Sequence, residues 1–155
     1  MIKAMTTDAS VLSQTIINAM HGHMARLGVW AAASVVGGIL ILIFRRRRES
    51  WKHFAFQCAA WGLIDGVIVL VSLFQQPKPF DSTAAANLRE FLWFNEGLNL
   101  GYIGVGLALA LAARRKAAPF EALEGAGWGV VLQGLALLTL DTTLVMRLPG
   151  AAAWN

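Results

Sequence analysis

Ionisable side chains interrupt otherwise apolar stretches of this sequence, and their types are those that could support chemistry. Three of them are the carboxylates Asp65, Glu96 and Asp141. Two carboxylates in different environments can divide the roles of general acid and general base between them. The sequence therefore predicts Asp65, Glu96 and Asp141 as catalytic candidates.

Amide, phenol, imidazole and guanidinium groups accompany these carboxylates. Three of them, Asn95, Asn99 and Tyr102, have the i, i+4, i+7 spacing that places side chains on one stripe of a helix. The others come just before the first long apolar stretch. The amides and the phenol could orient a substrate, while Arg26 or a histidine could hold an anionic headgroup. The predicted substrate-binding residues are Arg26, Asn95, Asn99, Tyr102, His21 and His23.

Metal binding is an open variant of this site. A divalent ion could be held by the carboxylates together with His21 or His23. Residues two apart in a helix point about 200° away from each other, so both histidines can chelate one ion only if the helix breaks at Gly22. The single cysteine, Cys58, excludes an intrachain disulfide and a cysteine-based metal site. The sequence leaves the metal and any other cofactor unknown.

The composition predicts that lipid surrounds these residues. The chain has 155 residues, of which 57% are hydrophobic and 14% charged, and its mean hydropathy is +0.57. Soluble domains are roughly 45–50% apolar and about 25% charged, so too few charges remain to coat a water-facing surface. The net charge of +4 comes from two compact basic blocks. We expect membrane lipids as partners and no nucleic acid.

Four apolar stretches are long enough to cross a bilayer. A helix needs about 20 apolar residues to span a hydrocarbon core of roughly 30 Å. Stretches of this length and continuity favour helices over strands. We predict an all-α polytopic membrane protein, a four-transmembrane-helix bundle that forms a single membrane domain over 1–155. Its spans are expected at about 27–44, 54–74, 91–113 and 125–146.

Residues 1–26 also have helical periodicity, because apolar residues from Leu12 to Leu27 recur every three or four positions. They predict an N-terminal amphipathic helical extension on the outer surface. A direct continuation of the first span is the alternative, with a bend at Gly22 or Gly28. A further helix start is predicted at Asp81, whose side chain could cap the third helix.

The basic blocks predict the orientation. One comprises 45–48 and Lys52, and the other comprises 114–116. Cytoplasmic loops collect lysine and arginine, and two crossings separate the blocks, so both are placed inside. This predicts an inner-membrane protein with both termini in the periplasm. An arginine run can also bind anionic lipid or nucleic acid, but its position at a helix end favours the topological interpretation.

The polar residues are expected to converge in the outer half of the bilayer. At about 1.5 Å per residue, Asp65 lies about 16 Å from the inner surface, and Glu96 and Asp141 each lie about 8 Å from the outer one. Buried carboxylates need compensation by Arg26, by Arg147, by a histidine, by a bound cation or by protonation. An interfacial salt bridge from Glu96 or Asp141 to an arginine (26, 89 or 147) is the structural alternative.

Two glutamines lie nearer the inside. Gln57 and Gln133 are predicted to hydrogen-bond between the second and fourth spans. Glycines on the first, third and fourth spans allow close helix packing, either within one bundle or between protomers.

Four phrases carry a family resemblance: HGHMARLGVW, WGLIDG, FNEGLNLGY and LQGLALLTLD. With them the chain resembles a group of small bacterial four-span inner-membrane proteins without an assigned activity. The resemblance implies a four-helix membrane fold and a bacterial source, and it implies no chemistry.

Three hypotheses of function remain open. The first is a membrane-embedded enzyme or binding protein for an amphipathic, lipid-like substrate that enters from the outer leaflet. The second is a proton- or cation-coupled transporter or channel that uses Asp65. Because four spans are few for a translocation path, this hypothesis requires a homo-oligomer. The third is an assembly subunit whose polar groups only secure helix packing.

Overall fold

Four α-helices form the secondary structure in a computed structural model of the chain, which describes residues 2–45, 47–76, 79–115 and 121–149, with side chains from residue 10 onward. Arg46 and Lys116 of the basic blocks lie outside these ranges. The described residues contain no strand, so the prediction of an all-α, four-helix protein is confirmed. The helices are α1 (Ile2–Phe44), α2 (Glu49–Phe74), α3 (Ser82–Arg114) and α4 (Glu121–Val145).

All four helices are long and apolar enough to cross a membrane. Large apolar side chains such as Val29 and Phe74 are exposed, whereas several ionisable and amide side chains are buried. This distribution suits a lipid solvent, in which apolar groups face outward and polar groups turn to one another.

The first helix is continuous. It runs through both Gly22 and Gly28 without a break, so the N-terminal segment directly extends the helix that contains the first long apolar stretch. Ala19 of this extension packs with Leu92 of α3 and Leu144 of α4 in an apolar cluster. The extension is therefore part of the bundle.

The bundle has two ends that differ in charge. At the arginine end, defined by the α1–α2 and α3–α4 connections, Arg114 Nε pairs with Glu124 Oε1 at 2.7 Å. At the opposite end, Asp81 Oδ1 accepts a hydrogen bond of 2.7 Å from the backbone N–H of Ala84, and this confirms the predicted cap of α3.

Small residues set the spacing of the helices. A Cβ added to Gly106 of α3 would lie 2.7 Å from the carbonyl oxygen of Gly127 on α4, closer than real Cβ atoms approach oxygen. Gly38 of α1 has the same relation to the carbonyl oxygen of Ala55 on α2, also at 2.7 Å. The helices therefore pack backbone to backbone, with α1 beside α2, α2 beside α4 and α4 beside α3.

Candidate functional site

Asp141 lies at the centre of a buried polar cluster. Its Oδ2 atom accepts a hydrogen bond of 2.9 Å from Nδ2 of Asn99. Its Oδ1 atom lies 3.5 Å from Nε2 of His23. All three side chains are buried, so α1, α3 and α4 meet at this point.

Asp65 brings α2 to the same cluster. It is 3% exposed, and its carboxyl group is close enough to that of Asp141 for the two to interact electrostatically. Its Oδ2 atom is buried and makes no hydrogen bond with any described residue. The structure thus joins two of the three predicted carboxylates.

Glu96 is held by a threonine. The Thr142 hydroxyl donates a hydrogen bond of 2.8 Å to Glu96 Oε1, and Thr142 follows Asp141 in the chain. Thr142 is not among the residues predicted from the sequence. Its position beside a buried aspartate was the available signal, although a threonine in a helix more often hydrogen-bonds to its own backbone.

Arg26 is the cation nearest to the cluster along α1. It lies one turn after His23 and interacts electrostatically with it. Its Nε and Nη2 atoms are buried without a hydrogen-bond partner among the described residues. These two atoms form the side of the guanidinium that binds carboxylate or phosphate oxygens in pairs.

The arginines that were expected to neutralise the buried carboxylates do not pair with them in the described residues. Within the described ranges, neither Arg26 nor Arg147 forms an ion pair with a carboxylate. The guanidinium of Arg89 donates to the backbone oxygen of Pro149. The alternative prediction, a salt bridge from Glu96 or Asp141 to an arginine, is not found among the described residues. Asp141 is compensated by His23 and Asn99.

Three predicted binding residues lie at the margin of the cluster or beyond it. His21 is exposed and lines a groove of about 970 Å³ between α1 and α2. This agrees with the helical geometry that points it away from His23. Asn95 is half-buried. Tyr102 is half-buried as well, and its ring lies 5.3 Å from that of Trp61.

A second polar layer lies between the cluster and the arginine end. Gln133 Oε1 accepts a hydrogen bond of 2.8 Å from Trp30 Nε1, and Gln133 Nε2 donates to Ser34 Oγ at 3.3 Å. Counted along the helices, this layer lies about 15–21 Å from the arginine end and the cluster about 22–32 Å. Gln133 therefore joins α4 to α1 and not, as expected, to α2.

Gln57 lies between α2 and α4 as expected, but the part of its side chain that faces α4 consists of carbon atoms. A Cβ added to Gly129 would lie 2.6 Å from Gln57 Cβ. The expected hydrogen bond from Gln57 across to α4 is absent from the described residues.

The described residues do not provide a set of donor atoms for the metal site that the sequence left open. In the part of the chain that the structure describes, no three histidine, cysteine, aspartate or glutamate side chains come close enough to hold a metal ion. His21 faces away from the cluster, so only His23 accompanies the carboxylates.

Four buried atoms of the cluster lack a hydrogen-bond partner among the described residues. They belong to three side chains and are His23 Nδ1, Arg26 Nε, Arg26 Nη2 and Asp65 Oδ2. Buried polar atoms without a partner are uncommon in native proteins, and each costs about 1–3 kcal/mol. They comprise an imidazole nitrogen, two guanidinium nitrogens and a carboxylate oxygen.

Fold and site together define an all-α protein of four helices, each long and apolar enough to span a membrane, with a polar cluster inside. Residues 26–142 match a family of unknown function, DUF6992, and the chain belongs to this family. The match includes Asp65, Glu96, Asn99 and Asp141 and excludes His23. No curated protein and no solved structure matches the chain.

Proposed function

We propose that this chain is an integral membrane protein that binds the polar group of an amphipathic, lipid-like molecule in the cluster, and that His23 exchanges a proton with that group. The observation that carries the proposal is the set of four unpartnered buried atoms on His23, Arg26 and Asp65. A bound polar group would provide the partners that these atoms lack.

The three side chains have complementary roles in this proposal. Arg26 binds an anionic oxygen pair of the ligand through Nε and Nη2. Asp65 accepts a hydrogen bond from a donor on the ligand through Oδ2. These two contacts would fix the orientation of the ligand between α1 and α2.

His23 is the residue suited to proton transfer. In the neutral tautomer that carries its proton on Nε2, the nitrogen facing Asp141, the lone pair of Nδ1 can act as a base. Asp141 then orients the ring and stabilises its charged form, while Asn99 holds Asp141 in place. The proton moves from the ligand to Nδ1 and back.

The interior below the cluster supports a binding site over a transport path. Gln133 is 2% exposed, and its amide is used by Trp30 and Ser34 within the same chain. Closer to the arginine end, glycine contacts such as Gly106 with Gly127 leave no room for a Cβ between the helices. These contacts leave no polar path through the described residues from the cluster toward the arginine end, which favours a binding site over a transport path.

Two other functions stand as alternatives. Asp65 could bind a proton or cation in an oligomeric transporter, because its Oδ2 atom lacks a partner. The chain could also be an assembly subunit, because Gly97, Gly101 and Gly104 of α3 have nothing within 4 Å of an added Cβ and thus leave an outer face of small residues. Neither alternative accounts for the two unpartnered guanidinium nitrogens of Arg26, Nε and Nη2.

Localisation is part of the proposal. We place the protein in a bacterial inner membrane with the arginine end in the cytoplasm and both termini in the periplasm. The exposed side chains of Arg45, Arg47, Arg48 and Arg115 at that end support this orientation.

Amphiphiles that co-purify with the chain test the proposal. The full chain is extracted from its native membrane in mild detergent, and bound molecules are identified by mass spectrometry. We expect one class of anionic amphiphile to remain bound to the unaltered chain and to be lost from Arg26→Gln and Asp65→Asn. Arg147→Gln is the matched control for Arg26→Gln. It also removes one positive charge, but from an exposed side chain. Equal retention by all variants, or no retained molecule, would contradict the proposal.

A further inference from the structure

A second cavity lies at the arginine end, remote from the polar cluster. It has a volume of about 390 Å³ and combines guanidinium groups with apolar side chains. We propose that this cavity binds the phosphate of an anionic phospholipid. Its lining residues are Ile43, Phe44, Arg45, Arg47, Arg48 and Trp51.

The positive charge of this cavity is not neutralised by the protein. None of the described residues that line it is acidic. Within the described residues, Arg45, Arg47 and Arg48 form no ion pair. The nearest carboxylate along the chain, Glu49, is already engaged by Lys52 at 2.5 Å. Three guanidinium groups are thus left to bind phosphate oxygens, which they do in pairs of hydrogen bonds.

The apolar half of the lining favours a lipid over a free anion. Phe44 is 77% exposed at the last position of α1. Trp51 lies edge-on to Phe54, with ring centroids 5.9 Å apart, and such aromatic side chains settle at the level of lipid headgroups. A phospholipid phosphate at this depth would place its acyl chains along Ile43 and Phe44. Inorganic phosphate would leave these apolar side chains unused.

The other basic block does not offer the same site. Arg114 pairs with Glu124, and its guanidinium carbon lies 5.7 Å from the centre of the Trp128 ring. Arg115 is exposed at the same end of the bundle and does not line the cavity. A variant of Arg115 therefore removes one positive charge from this end without altering the proposed site.

Lipid titration of the delipidated full chain in detergent tests the proposal. Binding of phosphatidylglycerol, phosphatidylcholine and inorganic phosphate is measured by thermophoresis. We expect saturable binding of phosphatidylglycerol that weakens about fivefold for each arginine removed in Arg48→Gln and in the double variant Arg47→Gln/Arg48→Gln. Arg115→Gln should bind as the unaltered chain does, because Arg115 does not line the cavity.

Three results would overturn the proposal. Equal weakening in Arg115→Gln would mean that only the overall charge attracts the lipid. Equal binding of phosphatidylcholine would mean that the phosphate charge is not recognised. Binding of inorganic phosphate as strong as that of phosphatidylglycerol would assign the cavity to a free anion. Thermal unfolding in the same detergent, without added lipid, identifies any variant that fails to fold. If the double variant fails, the test relies on Arg48→Gln alone.

Discussion

Nε2 of His23 lies 3.5 Å from Oδ1 of Asp141, and this contact joins the first helix of the bundle to the last. The two residues are far apart in sequence, and both are buried. The contact orients an imidazole whose other nitrogen has no partner among the described residues. An oriented imidazole with a free nitrogen is the arrangement that proton transfer requires.

Replacing Asp141 should loosen the bundle. Asp141→Asn keeps the shape and an oxygen for Asn99, but it removes the charge that faces His23. We expect the free energy of unfolding in detergent to fall by about 1–3 kcal/mol. Asp81→Asn is the control, because asparagine caps a helix as well as aspartate and should leave stability unchanged. Equal stability of Asp141→Asn and the unaltered chain would show that the His23 contact contributes nothing.

Glycine packing can be tested by a pair of alanine variants on one helix. At Gly106 an added Cβ would lie 2.7 Å from Gly127 O and 2.8 Å from Val131 Cγ2, whereas at Gly101 it would meet nothing within 4 Å. Gly106→Ala should lower the unfolding free energy by about 1–3 kcal/mol. Gly101→Ala should leave it unchanged or raise it, since alanine favours helix. Equal destabilisation by both would indicate that Gly101 also packs against a surface, such as a second copy of the chain.

The fold was predictable because it depends on local properties of the sequence. Apolar length alone predicted four helices, and the described residues form four, which end at Phe44, Phe74, Arg114 and Val145. The capping role of Asp81 was predictable for the same reason, since a cap involves neighbouring residues.

The site was only partly predictable, because side-chain partners depend on how helices are rotated against one another. The rise per residue along each helix placed His23, Asn99 and Asp141 in the same half of the bundle, but it could not show that all three meet. It also could not show that Gln133 turns to Trp30. Predicting either contact requires the order of the helices around the bundle, which no local pattern contains.

The Trp30–Gln133 hydrogen bond should contribute a measurable coupling energy. Its length is 2.8 Å, and buried hydrogen bonds between membrane helices contribute about 0.6 kcal/mol on average and about 1.7 kcal/mol at most. A double-mutant cycle with Trp30→Phe and Gln133→Leu should give a coupling in this range. Trp93→Phe, at a tryptophan that is 62% exposed, should show no coupling to Gln133→Leu. Zero coupling in the Trp30 cycle would mean that the bond adds no net stability.

Orientation can be tested with single cysteines at the two ends of α3. Thr83 and Arg115 are both exposed, and the native Cys58 is buried and should stay unlabelled. In right-side-out vesicles, we expect a membrane-impermeant maleimide to label Thr83→Cys at once. Arg115→Cys should be labelled only after the vesicles are opened. The reverse pattern would place the arginine end outside.

The central claim is that the buried cluster binds a polar group from outside the chain. An experimental density map of the full chain in its native lipid, at a resolution that shows side chains, tests this most directly. We expect density for the headgroup of an amphiphile within hydrogen-bond distance of Nε and Nη2 of Arg26 and of Asp65 Oδ2. A map in which Arg26 and Asp65 turn to each other or to neighbouring protein groups, with no foreign group between them, would contradict the account.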